Sequence, residues 1–214
     1  MEADPSMVAD QSLRRFLDEL ASSAPTPGGG GAAAVMGAMG AALVSMVCRL
    51  TIGKKDYEAV EAPVRRMLDQ AEALRQRLTE MIAEDVQAFD ALMAAYRLPR
   101  SSDAEKQARS QAIQHALKQA TDVPLDCAAA CAEVIELARQ LAPIGNRGVI
   151  SDAGVAALSA HAALRSAALA VYINVPSIKD ADFVQSRRAR LDSLLARCAA
   201  DSEQAYETVV GRLG

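Results

Sequence analysis

Tryptophan is absent from this chain of 214 residues, phenylalanine and tyrosine together make up 3% of it, and there are only 12 glycines and 8 prolines. A chain so poor in aromatic and turn-forming residues does not build a β-sandwich or barrel. In their place stand 45 alanines, the residue with the best helix propensity. The 51% hydrophobic content is enough to bury a core and excludes a disordered or collagen-like chain. Positive charge is also in short supply. Lys and Arg number 23 against 27 Asp and Glu, for a net charge of −4 and a pI near 5.3. That balance argues against nucleic-acid recognition through a basic face.

Cysteine and histidine are scarce too. None of the four cysteines (Cys48, Cys127, Cys131, Cys198) forms a C-x-x-C pair, so no zinc knuckle or thioredoxin-type motif is available. Cys127 and Cys131 share a helical face and read as small core hydrophobes. His115 and His161 have no partner at metal-ligand spacing, so no metal site is expected. The start, MEADPSMVADQ, lacks a charged segment followed by an apolar run, and the expected compartment is the cytoplasm.

One long apolar run is present. Residues 31–48 carry no charge and meet the length of a membrane span. Much of the run is Ala and Gly, which partition weakly into hydrocarbon, and no second run of this kind is apparent. It reads as a buried helix whose small residues Gly37, Ala41 and Ser45 let neighbouring helices approach.

Periodicity places a short amphipathic helix at residues 11–20, the buried helix at 32–52, and a helix of forty residues from Tyr57 to about Arg97. Another runs from about Asp103 to Ala142, with a kink or break expected near Pro124. Ser151 is expected to cap an Ala-rich helix that runs towards Tyr172, and Asp180 opens a terminal helix. The predicted architecture is an all-α, multihelical bundle of about six helices, two of them long, in a single domain covering residues 1–214.

Chemistry on such a scaffold collects in the breaks between helices. The first break, Pro27-Gly28-Gly29-Gly30-Gly31, enters a helix. It is either a flexible connector or a place where free backbone N–H groups meet an anion or polar heterocycle. In the second, Lys54-Lys55 follows the buried helix, where the pair can cap the helix dipole or receive the carboxylates of an acidic ligand. Asp85 lies near the Ile82, Val86 and Phe89 stripe of the forty-residue helix, as a solvated group or a partly buried carboxylate tuned for acid–base work. The remaining breaks hold Gly145-Asn146-Arg147-Gly148, Ser151-Asp152 and Asn174, all explicable as turn and cap residues.

Taken in order, Pro25-Thr26-Pro27-Gly28-Gly29-Gly30, residues 40–47, Leu50-Thr51-Ile52-Gly53-Lys54-Lys55, Asp85 with Ala88-Phe89, Val123-Pro124-Leu125, Gly145-Asn146, Ser151-Asp152-Ala153-Gly154 and Ile173-Asn174 form a pattern. It resembles the cyclodeaminase/cyclohydrolase family: the C-terminal domain of formiminotransferase-cyclodeaminase and the stand-alone methenyltetrahydrofolate cyclohydrolases. Gly31 stands where that family usually has Ser.

The resemblance implies an all-helical homodimer with a folate crevice, no cofactor beyond the tetrahydrofolate substrate, and no membrane or nucleic-acid partner. It implies hydrolysis of 5,10-methenyltetrahydrofolate to 10-formyltetrahydrofolate. The alternatives are formiminotetrahydrofolate cyclodeaminase activity with release of ammonia, or a non-catalytic folate-binding protein. On this reading Asp85 or Asp152 is the base or proton shuttle. Lys54 and Lys55 are a proton donor or a clamp for the glutamyl tail. Pro27, Gly28, Gly29 and Gly30 form the lip of the pocket, with Ser151 also in contact with substrate. Asn146 and Asn174 position the ligand, and Tyr57, Phe89 and Tyr172 are the aromatic groups available to a pterin ring.

Overall fold

The computed structural model describes residues 11–214; the chain start read above for a leader segment lies outside them. Six α-helices follow one another: α1 (Leu13–Leu20), α2 (Gly29–Thr51), α3 (Glu61–Arg97), α4 (Asp103–Leu141), α5 (Ser151–Asn174) and α6 (Ala181–Leu213). The described residues contain no strand. Short 3-10 helices at Lys55–Val60, Arg147–Val149 and Val175–Ser177 lie in the connections. Three helices rather than two exceed thirty residues, because α6 continues to Leu213. Its buried positions Leu191, Cys198, Ser202, Ala205 and Val209 keep a helical period throughout.

Caps explain where the helices start. The Ser12 hydroxyl accepts from Arg15 N at 3.2 Å, and Ser102 with Glu105 forms a reciprocal capping box ahead of α4. Asp180 accepts from Phe183 N at 3.0 Å. Ser151 does not cap α5. Ile150 occupies that position with helical dihedrals and no side-chain bond, because the 3-10 turn before it already runs in a helical sense. The cap has moved upstream to Asn146, whose side chain accepts from Gly148 N.

Helix α2 lies at the centre, packed against α3, α4 and α5, while α6 covers α4 and α5. Its small residues set the distances. A Cβ on Gly37 would stand 2.7 Å from Cys131 Sγ of α4, and one on Gly40 would stand 3.0 Å from the Ala156 carbonyl of α5. Alanine serves α5 in the same way, with Ala153, Ala156, Ala157, Ala160, Ala163 and Ala167 fully buried. This is close packing through small side chains. A second helix, interrupted by Asp152 and Arg165, is also long and apolar: residues 151–177 have a mean hydropathy of 1.4 against 1.9 for Gly29–Thr51, and about half of each is buried inside the protein.

Of the kink or break expected near Pro124, the break does not occur: α4 runs from Asp103 to Leu141 with Pro124 inside it. Proline at 124 leaves the Ala120 carbonyl without its helical donor. Asn174 at the end of α5 supplies the missing donor, its side-chain amide reaching Ala120 O at 2.8 Å and Ala170 O at 3.0 Å. A fully buried carbonyl left unpaired costs about 1–3 kcal/mol; Ala120 is half-buried, and this amide offsets the smaller cost that remains. The Nδ2 of Asn174 is therefore committed to backbone carbonyls, which leaves its Oδ1 as the group that could meet a ligand.

Candidate active site

The residues singled out by the sequence fall into two groups at opposite ends of α2. At its N-terminal end, helix starts at Gly29, three residues earlier than the sequence suggested, with Gly28 as an extended cap. Pro27 and Gly31 are buried. The carboxylate of Asp85, on α3, lies against the Cα of Gly30, where an added Cβ would overlap Oδ1 and stand 2.7 Å from Oδ2. Glycine at position 30 is what lets this carboxylate reach the helix start. Burial pushes the Asp85 carboxyl above the usual carboxylate range, and the Gly31 N–H, donating to it, pulls part of the way back. Phe89 sits one turn beyond Asp85 on the same helical face and is half-buried.

At the other end, Gly53 turns the chain with φ of 74°, a conformation that glycine adopts without strain. Lys54 and Lys55 follow, both exposed. Neither makes an ion pair among the described residues, so both ammonium groups face solvent uncommitted. Tyr57 is half-buried, and its hydroxyl accepts from Arg147 N at 2.9 Å.

Asn146 ties this end together rather than presenting its amide to solvent. Its Nδ2 donates to Leu50 O at 2.7 Å and its backbone N donates to Thr51 Oγ1 at 2.9 Å. Its Oδ1 accepts from Gly148 N at 3.0 Å. One N–H of this side chain therefore holds the turn to the end of α2 while its Oδ1 closes the turn itself. Ser151 and Asp152 open α5 just beyond, Ser151 exposed and Asp152 half-buried in the first turn. Tyr172, which the scarcity of aromatics had made a candidate, lies near the far end of α5 and reaches only Asp192, at 3.5 Å.

The 23 residues of α2 put about 33 Å between the two ends at 1.5 Å per residue. Asp85 with residues 27–30 and Lys54 with Asn146 and Asp152 therefore cannot touch one small ligand within a single protomer. That distance was readable in the sequence, since an uninterrupted helical pattern separates Gly30 from Lys54. Two side chains of this region had no role assigned from the sequence. Thr51 accepts from Asn146 while donating to Val47 O at 2.7 Å, and Arg212 at the far end of the chain reaches the same turn.

Nucleophilic chemistry by thiol does not fit. All four cysteines are buried and free, burial pushes the Cys48 thiol up to about 12, and contact with Cys127 together with burial raises Cys131. A cavity of about 810 Å³ lies between α3, α4 and α6, lined by Arg77, Arg139 and Arg197 among others. None of the expected site residues lines it. Its arginines are largely committed, Arg77 to Glu84 and Arg139 to Glu136 and Asp201.

Comparison with known proteins gives this arrangement its context. A methenyltetrahydrofolate cyclohydrolase of Methylorubrum extorquens is 58% identical over 207 residues, covering 97% of this chain and 100% of that protein. The formimidoyltransferase-cyclodeaminase of Rattus norvegicus is 35% identical over 186 residues, and the chain spans only 34% of its length. Among solved structures, formiminotetrahydrofolate cyclodeaminase from Thermotoga maritima superposes with a TM-score of 0.86 at 33% identity, covering 95% of this chain and 98% of that one. The sequence model of formiminotransferase-cyclodeaminase matches residues 12–193, a span holding both ends of α2 and every residue of the two groups, and the chain belongs to that family.

Proposed function

We propose that this protein hydrolyses 5,10-methenyltetrahydrofolate to 10-formyltetrahydrofolate and catalyses the reverse closure. The observation that carries this reading is the 58% identity to a methenyltetrahydrofolate cyclohydrolase along that protein's whole length. The methenyl carbon bridging N5 and N10 is an amidinium carbon, already electrophilic, so the reaction needs no redox group or metal. It needs a positioned water, a base and a proton donor. Water adds to the carbon and loses a proton to Asp85. The tetrahedral adduct then collapses: its hydroxyl proton is lost to solvent as the C–N5 bond breaks, N5 takes a proton from Lys54, which solvent restores, and the formyl group stays on N10. The net reaction consumes one water and releases one proton.

Gly28, Gly29 and Gly30 let backbone approach the ring system beside Asp85, and Phe89 offers a ring face there. Lys55 meets the glutamyl carboxylates, and Asp152 relays protons to solvent.

Such a site requires the two ends of α2 to meet, and a homodimer achieves this. A two-fold axis crossing α2 near its midpoint brings the Asp85 end of one protomer to the Lys54 end of its partner. The surface at that level is apolar: Met39 is 56% exposed, Val155 51% and Leu158 46%. Gly40 packs on Ala156 and Ala160 at the same height. Exposed apolar residues gathered on adjoining helices mark an interface.

The second reading, ring closure of 5-formiminotetrahydrofolate with loss of ammonia, is favoured by the fold of the Thermotoga maritima protein. Absorbance of purified protein with each substrate separates the two. Rapid loss of the methenyl chromophore is expected; loss at the buffer rate overturns the proposal, and preferred turnover of the formimino substrate replaces it with the second reading.

A further inference from the structure

The last turn of α6 reaches the same end of α2. Arg212 donates from Nη1 to Ala142 O at 2.6 Å and from Nη2 to Gly145 O at 2.9 Å. These two carbonyls lie where α4 has ended and Gly145 N turns back to Leu141 O at 2.8 Å. Carbonyls just past a helix end lack helical donors. The planar guanidinium is the side chain suited to bridge two of them with separate N–H groups.

From that point the bonds run directly to the Lys54 group. Gly145 is buried with no room for a side chain, since a Cβ there would stand 2.9 Å from Ile150 Cδ1 and 3.0 Å from Val47 Cγ1. Asn146 follows and holds Leu50 O and Thr51 Oγ1, and Arg147 N donates to the Tyr57 hydroxyl. Tyr57 belongs to the 3-10 turn whose N-cap is Lys54. One turn earlier on α6, Val209 lies against Gly154, where a Cβ would be 3.4 Å from its Cγ1. Gly154 is two residues from Asp152 in the first turn of α5. The C-terminal turns of α6 thus touch both segments that carry the Lys54 end of the site, although they lie beyond the residues matched by the family model.

We infer that Arg212 is a positioning residue of the active site: by clamping Ala142 O and Gly145 O it fixes the turn through which Asn146 and Tyr57 place Lys54. The inference rests on the proposed hydrolysis and deepens it. Misplacement of a catalytic group by about 1 Å costs up to about 100-fold in rate. Arg212→Ala is therefore expected to lower kcat by about 10- to 100-fold with KM within about threefold, because Lys55 and the Asp85 end still hold substrate. Arg212→Lys, whose single ammonium can still meet a carbonyl, is expected to recover part of kcat.

Turnover of methenyltetrahydrofolate by wild type, Arg212→Ala and Arg212→Lys, each assayed well below its own melting temperature with dimer mass checked, tests this. A kcat loss in the alanine variant with partial rescue by lysine supports it. Wild-type kcat in a folded alanine variant, or a lowered melting temperature with unchanged kcat, overturns it. If the alanine variant does not fold, the lysine variant decides alone: reduced kcat at unchanged KM supports the inference and wild-type kcat overturns it. Failure of the wild type to turn over the substrate would instead remove the proposed function itself.

Discussion

Gly30→Ala is expected to lower kcat by about 100-fold, and Gly29→Ala, one residue away in the same first turn, to lower it far less. Both substitutions add one methyl group. At position 29 nothing lies within 4 Å of the new atom, whereas at position 30 it falls inside the carboxyl group of Asp85. Asp85 is short and anchored to a buried stretch of α3 between Ile82 and Val86, so its carboxylate can yield only by rotating away from Gly31 N–H or by forcing α2 from α3. Either movement takes the base from the point where substrate backbone contacts are made. The strain also lowers stability, by about 1–3 kcal/mol for overpacking of this kind. Steady-state kinetics with a melting curve for both variants checks the prediction, and equal turnover in the two would show that contact between Asp85 and Gly30 is irrelevant to catalysis.

The second large effect is that of Asp85→Asn, which keeps the shape but cannot take a proton. Its kcat is expected to fall by about 10²- to 10⁴-fold, the usual contribution of a positioned base. In the wild type, activity should fall on acidification through a carboxyl group titrating above the ordinary Asp range, because burial raises Asp85. The variant should lose that limb.

Stability moves the other way. A carboxyl whose folded pKa is raised contributes its full share of stability below the unfolded value, about 3.9, and loses it as pH rises through the folded value. At neutral pH the folded protein therefore holds a buried charge at a cost. Asp85→Asn should melt at a higher temperature than wild type at neutral pH, with the difference shrinking towards acid. An unchanged acid limb in the variant would assign that titration to another group, and a lower melting temperature at neutral pH would show that the Asp85 charge is stabilised in place.

The helices and their buried faces were legible because the pattern of Leu, Val and Ala along each segment is local information. The continuity of α4 through Pro124 was not legible, for the opposite reason. Its compensating donor, Asn174, lies fifty residues on in the sequence and meets it only through the packing of α4 against α5. The same packing ties the amide nitrogens of Asn146 and Asn174 to backbone carbonyls. Residue type showed correctly that both would be hydrogen-bonded, but not to what. The Gly30 and Asp85 pairing is a further case. The glycine run and a carboxylate beside an apolar stripe were each visible, but their contact is a tertiary fact. Arg212 had no sequence signal beyond being a basic residue in a last helical turn, a common placement for dipole reasons alone.

The central claim is that one active site draws Asp85 from one protomer and Lys54 from the other. The direct test co-expresses Asp85→Asn and Lys54→Ala chains carrying different affinity tags and isolates the mixed dimer, alongside each variant as a homodimer. Each homodimer has the same defect in both sites and should be close to inactive. The mixed dimer has one doubly damaged site and one intact site, so the account predicts recovery to about half the wild-type turnover per dimer. Activity in the mixed dimer no greater than that of the two homodimers would contradict it.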